Sequence, residues 1–435
     1  SRAGISYPKG LHPIGPVSGR ALFQIFADEI LAYVRFYGRP ILWGVVVSDM
    51  TDQGTREYFK DNDYFGLGQE NVRFAPQESI AAFISGTQTP AMANSEKLLT
   101  VPNGTGGFYR ALQTRHDYSS SFLEEAASRG NDVFLFHNVD NPLPVINKKV
   151  IGYHLSEASD FTSVVVRKRN PEEGLGMPAV DKVTGRKMFI EYNQPAAKIL
   201  SVTPGFEYGS VSRMAFSFDF LSRVNDEYYH FVEGKSQKIW DGQKLVDGKI
   251  DKFESFFFDV QDQADRAINV VLPREDCFSP FKKMSGPDSP QAAGKAMSDY
   301  FKRMLLASGI VSGVPQNMTL EISPLFAHSP ETLNTRLGPS PFSLKEGMAL
   351  WMGASLYSRS LFICREGQAS DIKSLEAPYA EPSDMEHDVR IDTGLGFSIY
   401  VFDSHARSQA YLDEAIRRNE VEPRDNTQLW IDEHS

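Results

Sequence analysis

The sequence contains few cysteines and lacks long apolar runs. Cys277 and Cys364 are its only cysteines. Two are too few for a disulfide framework, and their separation does not match a paired metal-binding motif. No apolar stretch has the length of a membrane-spanning helix, and the first residues do not resemble a signal peptide. We therefore expect reduced cysteines, no membrane partner and a cytoplasmic location.

Positive charge is also scarce. The chain has 45 Lys and Arg residues against 56 Asp and Glu residues, which gives a formal net charge of -11. Nucleic acids and anionic membranes bind positive surfaces, so this balance argues against either as a partner. The nine histidines include no His-x-x-x-His pair. A polyanionic ligand would have to bind in a local basic pocket.

The apolar content is sufficient for a large core. The chain is 435 residues long and 41% hydrophobic, which permits two or three domains. Two prolines and a glycine interrupt the pattern at residues 337–341, which predicts a boundary there. We expect a domain at 1–335 and a smaller α+β domain at 340–435. The second of these has no chemical motif, and no oligomeric state is predicted.

The amino-terminal half alternates helix-like and strand-like segments. Residues 22–34 carry apolar side chains at the spacing of one helical face, and Ser18 is placed to cap that helix. A buried strand at 41–48 and a helix at 53–61 follow. This order predicts an α/β fold. The other predicted elements are strands at 71–77, 162–168, 187–192, 360–364 and 397–402, a capping box of Ser121 and Glu124, a helix at 290–309 capped by Ser289, and a closing helix at 407–418.

A strand ending in a carboxylate organises the rest of the chain. Residues 133–139 are mostly apolar and lead directly into Asp140 and Asn141. Such a run is typical of a strand in a parallel sheet that is covered on both faces. Ligands in such sheets bind beyond the carboxyl ends of the strands, so Asp140 would face a site. The alternative is an Asx turn that merely ends the strand.

Two further patterns are ambiguous when they are taken alone. The segment VPNGTGG at 101–107 has three glycines within four positions before a helix-like segment. Such a turn lets backbone N–H groups approach a ligand, although a purely structural turn is the commoner explanation. The aromatic residues Phe256, Phe257 and Phe258 could form an aromatic wall for a ring, although a strand in the core is the commoner role.

Several short motifs, taken in order, resemble those of the UDP-sugar pyrophosphorylases. The chain looks most similar to the eukaryotic-type UDP-N-acetylhexosamine branch, because of the glycine turn that runs into FYRAL, the REDxFSPxK segment and the EISPL segment. The resemblance covers roughly residues 1–330. The motifs are YPKG at 7–10, FAPQ at 74–77, PNGTGG at 102–107, VDN at 139–141, EY at 191–192, REDCFSPFK at 274–282 and EISPLF at 321–326.

The resemblance implies a Rossmann-like nucleotidyltransferase domain with a mixed, mainly parallel central sheet. The implied reaction joins a sugar 1-phosphate to the uridylyl group of UTP and releases pyrophosphate, with Mg2+ as cofactor. The implied catalytic residues are Arg2, Lys9 and Lys282. The implied nucleotide-binding residues are Gln77, Gly104, Thr105 and Asp140, of which Asp140 would also bind the Mg2+. The implied sugar-binding residues are Gly176, Glu191, Tyr192, Arg213, Phe256 and Phe258.

These residue types suit the implied chemistry. The protein must mainly bring two polyanions together and neutralise their charge, which lysines and a metal ion do. Mg2+ binds hard oxygen ligands and often takes one or two carboxylates together with phosphate oxygens, so one aspartate at a strand end suffices. No covalent nucleophile is needed, and the sequence contains no Ser-His-Asp or Cys-His set that indicates one.

The sequence departs from the family pattern at four places. The family's phosphate loop is missing except for its end, where Ser1 and Arg2 lie, and the strand before the loop is missing too. We therefore expect that the chain is a fragment of a longer product or that its active site is incomplete. The glycine turn has Thr105 in place of an Asn and Asn103 in place of an Asp. Ser210 and Arg213 stand at two sugar-binding Asn positions. About 100 residues follow EISPLF.

Three functions therefore stay open. The first is a uridylyltransferase acting on N-acetylglucosamine 1-phosphate. The second is a UDP-glucose or broad UDP-sugar pyrophosphorylase, towards which the segment EYNQ at 191–194 points slightly. The third is a non-catalytic relative that binds a nucleotide sugar, which the missing loop and Arg213 suggest.

Overall fold

The computed structural model describes residues 4–192, 194–225, 228–337, 344 and 349–354, and the backbone of strands at 360–365, 389–392, 397–402 and 426–431. The helices are α1 (Leu22–Tyr37), α2 (Asp52–Asp61), α3 (Phe108–Gln113), α4 (Phe122–Ser128), α5 (Lys148–Ser156), α6 (Pro195–Leu200), α7 (Phe218–Arg223), α8 (Arg274–Cys277), α9 (Pro290–Ala307) and α10 (Pro330–Leu337). The predicted closing helix at 407–418 and Arg2 lie outside the described residues.

The strands form several sheets, both parallel and antiparallel. They are β1 (Trp43–Val47), β2 (Val72–Pro76), β3 (Ser79–Ala81), β4 (Phe83–Ile84), β5 (Thr100–Pro102), β6 (Val133–His137), β7 (Phe161–Arg167), β8 (Met177–Val180), β9 (Lys187–Ile190), β10 (Tyr208–Ser217), β11 (His230–Trp240), β12 (Leu245–Glu254), β13 (Ala267–Val271), β14 (Thr319–Ile322), β15 (Ala349–Ala354), β16 (Ser360–Arg365), β17 (Val389–Asp392), β18 (Phe397–Phe402) and β19 (Asn426–Ile431).

The amino-terminal part contains a four-stranded sheet and a two-stranded sheet, two pieces that share no strand. One piece has the order β13-β7-β10-β6, in which β13 and β7 are parallel and β10 is antiparallel to both of its neighbours. The other piece is the parallel pair of β1 and β2. The mixed α/β content agrees with the predicted fold class.

A cavity of about 650 Å3 is bordered by β1 on one side and β6 on the other. Within the described residues, β1 pairs only with β2 and β6 pairs only with β10. All five residues of β6 are only half-buried, although their apolar sequence is that of a core strand. The strand edges that face the cavity therefore have no backbone partner in the described part of the chain.

A six-stranded sheet combines β14 with five strands from the carboxyl-terminal part of the chain. Its order is β14-β15-β16-β19-β18-β17, and β14 pairs in parallel with β15. The strands predicted at 360–364 and 397–402 are confirmed as β16 and β18. Because β14 lies on the amino-terminal side of the predicted boundary, this sheet crosses it. The division at 335–340 stays a prediction.

Local capping signals mostly hold. Ser121 and Glu124 form the predicted capping box, with Ser121 N donating to the Glu124 carboxylate at 2.7 Å. Ser289 caps α9 as predicted. Ser18 does not cap α1, because the helix begins after Ala21. The Ser18 hydroxyl instead donates to the buried carboxylate of Glu321, at 2.6 Å.

Candidate active site

Asp140 lies directly beyond the end of β6, beside a lysine from the other end of this part of the chain. The Nζ atom of Lys9 is 3.7 Å from Oδ2 of Asp140 and donates to the carbonyl of Phe281 at 3.0 Å. The backbone N–H of Phe281 donates to the Asp140 carbonyl at 2.6 Å. Lys282 follows directly, and its charge acts on the Asp140 carboxylate. The structure therefore brings Lys9, Asp140 and Lys282 together.

Asn141 fixes the position of the segment that carries Lys282. Its Nδ2 donates to the Cys277 carbonyl at 2.7 Å, and its Oδ1 accepts from Ser279 N at 3.1 Å. Asn141 is almost fully buried. The Asn141 side chain thus forms hydrogen bonds with a distant segment. An Asx turn that merely ended β6 would not require those bonds.

The electrostatics of Asp140 favour a bound cation. Burial raises the pKa of Asp140, the positive charges of Lys9 and Lys282 oppose that rise, and Asp288 adds to it. A desolvated carboxylate gains more from a nearby cation than a solvated one does. Among the described residues, no group of three or more His, Cys, Asp or Glu side chains could bind a metal ion alone. The residues fit a hard cation that takes one carboxylate and completes its shell with phosphate and water oxygens.

The glycine turn packs against the protein backbone. Gly104 has φ of +61°, and a Cβ atom added there would lie 2.4 Å from the Ser255 carbonyl oxygen. Gly106 is similarly close to the Ser255 side chain. Glycine is therefore required at both positions by the packing of residues 254–255, which supports the structural explanation of this turn.

The residues predicted to bind the nucleotide border the cavity that also contains Lys9. Gln77, Gly104 and Thr105 all line it. A Cβ atom on Gly107 would be 3.4 Å from Oε1 of Gln77, so the amide lies against the glycine turn. The structure thus places these three residues and Lys9 around one cavity.

Some of the residues predicted to bind the sugar form a second group. A Cβ atom on Gly176 would lie 3.3 Å from Oε1 of Glu191 and 3.4 Å from the ring of Phe258. The Phe258 ring stacks on Phe189 at 4.2 Å between centroids. Tyr192 is 47% exposed beside this group. The Phe258 ring itself is 6% exposed and packs in a core cluster with Phe189 and Phe257.

The carboxyl group of Glu191 is perturbed by its surroundings. Burial, with a smaller contribution from Asp259, raises the pKa of Glu191 to about 7. The carboxylate of Asp259 accepts from His230 Nε2 at 2.9 Å and from the backbone N–H of Phe256 at 3.0 Å. The ring of Phe256 packs on His230. Phe256 therefore lies close to the charged groups around Glu191.

Arg213 is not brought to this group. Its two Nη atoms donate to the carbonyl oxygens of Leu143 and Pro144, and the side chain is buried. The expected contact with a sugar does not match this placement, because both ends of the guanidinium fork are already occupied by the backbone. Glu29, from α1, was not among the predicted site residues, yet its carboxylate accepts from the backbone of the same loop. An acidic residue on the apolar face of a helix was the available signal.

Comparison with known proteins places the chain in a family. The sequence model described as UTP--glucose-1-phosphate uridylyltransferase matches residues 1–286. The chain belongs to this uridylyltransferase family. That membership confirms the resemblance noted in the sequence.

Two relatives match most of the chain. The protein named UDP-N-acetylglucosamine diphosphorylase 2 of Arabidopsis thaliana is 31% identical over 361 residues, which cover 77% of this chain and 70% of that protein. The protein named probable UDP-N-acetylglucosamine pyrophosphorylase of Dictyostelium discoideum is 28% identical over 373 residues, covering 79% of this chain and 75% of that protein.

Solved structures share the fold of this uridylyltransferase. The uridine diphosphate N-acetylglucosamine pyrophosphorylase of Trypanosoma brucei matches with a TM-score of 0.67 and 24% identity, covering 77% of this chain and 73% of that one. A putative UDP-N-acetylglucosamine pyrophosphorylase from Entamoeba histolytica matches with a TM-score of 0.63 and 22% identity, covering 79% of this chain and 90% of that one.

In the part of the chain that the structure describes, no helix is long and apolar enough to cross a bilayer.

Proposed function

We propose that the chain transfers the uridylyl group of UTP to a sugar 1-phosphate, with N-acetylglucosamine 1-phosphate as the first substrate. The observation that carries the proposal is the convergence of Lys9, Asp140 and Lys282 next to the glycine turn, in a chain of the uridylyltransferase family. The names of the relatives support N-acetylglucosamine. The family description names glucose 1-phosphate, which keeps UDP-glucose as the alternative product.

In the proposed reaction, a phosphate oxygen of the sugar 1-phosphate attacks the α-phosphorus of UTP. The bond between the α-phosphorus and the bridging oxygen breaks, and pyrophosphate leaves with that oxygen. Both substrates are polyanions, so the protein must position them and offset their charge. Lys9 lies 3.7 Å from the Asp140 carboxylate, and the charge of Lys282 acts on the same carboxylate, so the two lysines supply positive charge for this purpose.

Mg2+ is the proposed cofactor, and Asp140 is its proposed protein ligand. When bound, it would neutralise phosphate charge and hold the phosphate oxygens in a fixed arrangement. The Asp140 carboxylate is 16% exposed and lies beyond the end of β6, where it can present its oxygens to a cation. Lys9 keeps its bond to the Phe281 carbonyl and so holds its charge beside the same carboxylate.

The other proposed roles follow from position. Gln77, Gly104 and Thr105 would bind the uracil ring, because they line the cavity on the side of the glycine turn. Gly176, Glu191 and Tyr192 would bind the sugar over the Phe258 ring. The role of Arg2 in catalysis stays a prediction.

A Rossmann-like sheet is the finer fold assignment that we propose for the amino-terminal part. The facing edges of β1 and β6 are the feature that supports it, because each borders the same apolar cavity. One further parallel strand in that cavity would join both pieces into a single sheet and supply backbone partners to both edges. The separate domain at 340–435 and the cytoplasmic location stay predictions.

Release of pyrophosphate from UTP and Mg2+ with a panel of sugar 1-phosphates tests the function. We expect turnover that is fastest with N-acetylglucosamine 1-phosphate and absent without a sugar phosphate. Fastest turnover with glucose 1-phosphate would favour the alternative. UDP-sugar binding without any turnover, in a form that includes an intact phosphate loop, would overturn the enzyme proposal in favour of a non-catalytic relative.

A further inference from the structure

The loop that follows Asp140 is bound on both sides by buried charged side chains. Both carboxylate oxygens of Glu29, from α1, accept from Val145 N at 3.0 Å, and Oε1 also accepts from Ile146 N at 2.8 Å. The guanidinium of Arg213, from β10, donates to the carbonyl oxygens of Leu143 and Pro144. Four successive residues of one loop are therefore held by one acid and one base.

Neither charge is exposed to solvent. Glu29 and Arg213 are each 5% exposed. Each interacts favourably with the opposite charge, which partly offsets the burial that raises the pKa of Glu29 and lowers the pKa of Arg213. Cys277 and Tyr300 are the other titratable groups whose charges act on Arg213. Removing one of two buried opposite charges leaves the other uncompensated, so the two side chains depend on each other.

Asp140 is joined to this loop by a short segment whose residues are held in place. Only Asn141 and Pro142 separate it from Leu143, whose side chain is fully buried in the core that also contains Phe281. Asn141 is bonded to Cys277 and Ser279. A shift of residues 143–146 would therefore be transmitted to the Asp140 carboxylate.

We infer that Glu29 and Arg213 form a clamp on residues 143–146 that positions the Asp140 carboxylate for the metal-bound phosphates. Arg213 is then a positioning residue, and it does not bind the sugar. The existence of the clamp is independent of the proposed function, whereas its consequence for the metal rests on that function. Groups that orient a metal ligand typically change metal affinity or activity by about 10- to 100-fold when they are removed.

The test uses Arg213→Met, Arg213→Lys, Glu29→Gln and the double variant Arg213→Met/Glu29→Gln in the full chain. Arg266→Met and Glu157→Gln serve as matched controls, because these two residues form an exposed ion pair. Circular dichroism identifies any variant that does not fold. The two conservative variants, Arg213→Lys and Glu29→Gln, keep the test informative if Arg213→Met fails to fold.

Three readouts distinguish the clamp from a sugar contact. Hydrogen exchange reports the amides of Val145 and Ile146, calorimetry reports Mn2+ affinity in the presence of pyrophosphate, and kinetics report KM for the sugar 1-phosphate. We expect faster exchange at both amides in Glu29→Gln and roughly tenfold weaker Mn2+ binding in Arg213→Met. The KM for the sugar should change less than twofold, and the controls should match the parent.

Other results would count against parts of the inference. Unchanged exchange at Val145 and Ile146 in Glu29→Gln would overturn the clamp. An increase in the KM for the sugar in Arg213→Lys, with unchanged Mn2+ affinity, would restore Arg213 as a sugar ligand. Absent turnover in a parent form that includes an intact phosphate loop, together with the exchange and Mn2+ effects in the variants, would support the clamp and refute the proposed function.

Discussion

Lys9 and Asp140 lie 3.7 Å apart although they come from distant parts of the chain. The two are held together by Phe281, whose carbonyl accepts from Lys9 and whose amide donates to the carbonyl of Asp140. The segments that contain Lys9, Asp140 and Phe281 thus meet at one point, and Lys282 directly follows Phe281.

Lys282→Ala should slow uridylyl transfer, and Lys283→Ala should not. Lys282 acts electrostatically on Asp140, and losing one preorganised positive group typically lowers kcat by roughly a hundredfold or more. Lys283 is an exposed neighbour whose backbone N–H, like that of Lys282, donates to the Asp288 carbonyl. Steady-state release of pyrophosphate measures both variants. Equal rates for the two variants would remove Lys282 from the site.

Asp140→Asn should lower turnover and raise the Mg2+ concentration that turnover requires, while leaving the fold at least as stable at pH 8. Burial raises the pKa of Asp140, which means that the folded protein disfavours the charged carboxylate. The neutral amide avoids that penalty but is a poor ligand for Mg2+. Turnover across a Mg2+ titration and the Tm at pH 8 are the measurements. A lower Tm together with normal turnover would contradict the assignment.

Glu191 should make stability depend on pH. Its pKa is about 7 in the folded state against an ordinary value of 4.5, so the folded state holds a proton that the unfolded state has lost between those values. The contribution is fully present below pH 4.5, declines as pH rises, and is lost above pH 7. The loss is about 3 kcal/mol by pH 8.

Urea unfolding at pH 5 and pH 8 measures this effect. Glu191→Gln stays neutral at both pH values, so its stability relative to the parent should increase from pH 5 to pH 8. Glu96→Gln, in an exposed turn, provides the control and should follow the parent. A constant difference between parent and Glu191→Gln across this range would show that the carboxyl group is not perturbed.

Gly104→Ala and Gly152→Ala should have opposite effects. Gly104 has a left-handed backbone, which costs a residue with a Cβ about 1–2 kcal/mol before the 2.4 Å contact with the Ser255 carbonyl is considered. Gly152 is exposed within α5 with no atom within 4 Å of an added Cβ, so alanine there should stabilise by about 0.5–1 kcal/mol. Thermal unfolding measures both, and UTP binding should weaken only in Gly104→Ala.

Several parts of the fold follow from local patterns. The capping box of Ser121 and Glu124, the start of α9 after Ser289 and the strand before Asp140 were all predicted from residues within a few positions of each other. Each depends on backbone groups that the side chain can reach from its own turn or strand. Nothing distant is required to form them.

At other positions, long-range contacts gave a side chain a different partner from the one that its local pattern predicted. Ser18 has the spacing of a cap, yet its hydroxyl bonds to Glu321, a buried acceptor that no local rule anticipates. Arg213 occupies a position expected to contact the sugar, yet its guanidinium binds the carbonyls of a loop brought beside it by the packing of the sheet. In both cases a buried polar group required a partner, and the partner came from elsewhere in the chain.

The sequence by itself determined the α/β order of the amino-terminal part, the carboxylate at the end of β6 and the family, because each is written in neighbouring residues or in short motifs. Only the tertiary structure decided that Lys9 and Lys282 flank Asp140, that Glu191 is desolvated and that Arg213 turns to the loop. Those outcomes depend on burial and on opposite charges meeting across long separations, since a charge withdrawn from water is stable only beside the partners that folding supplies.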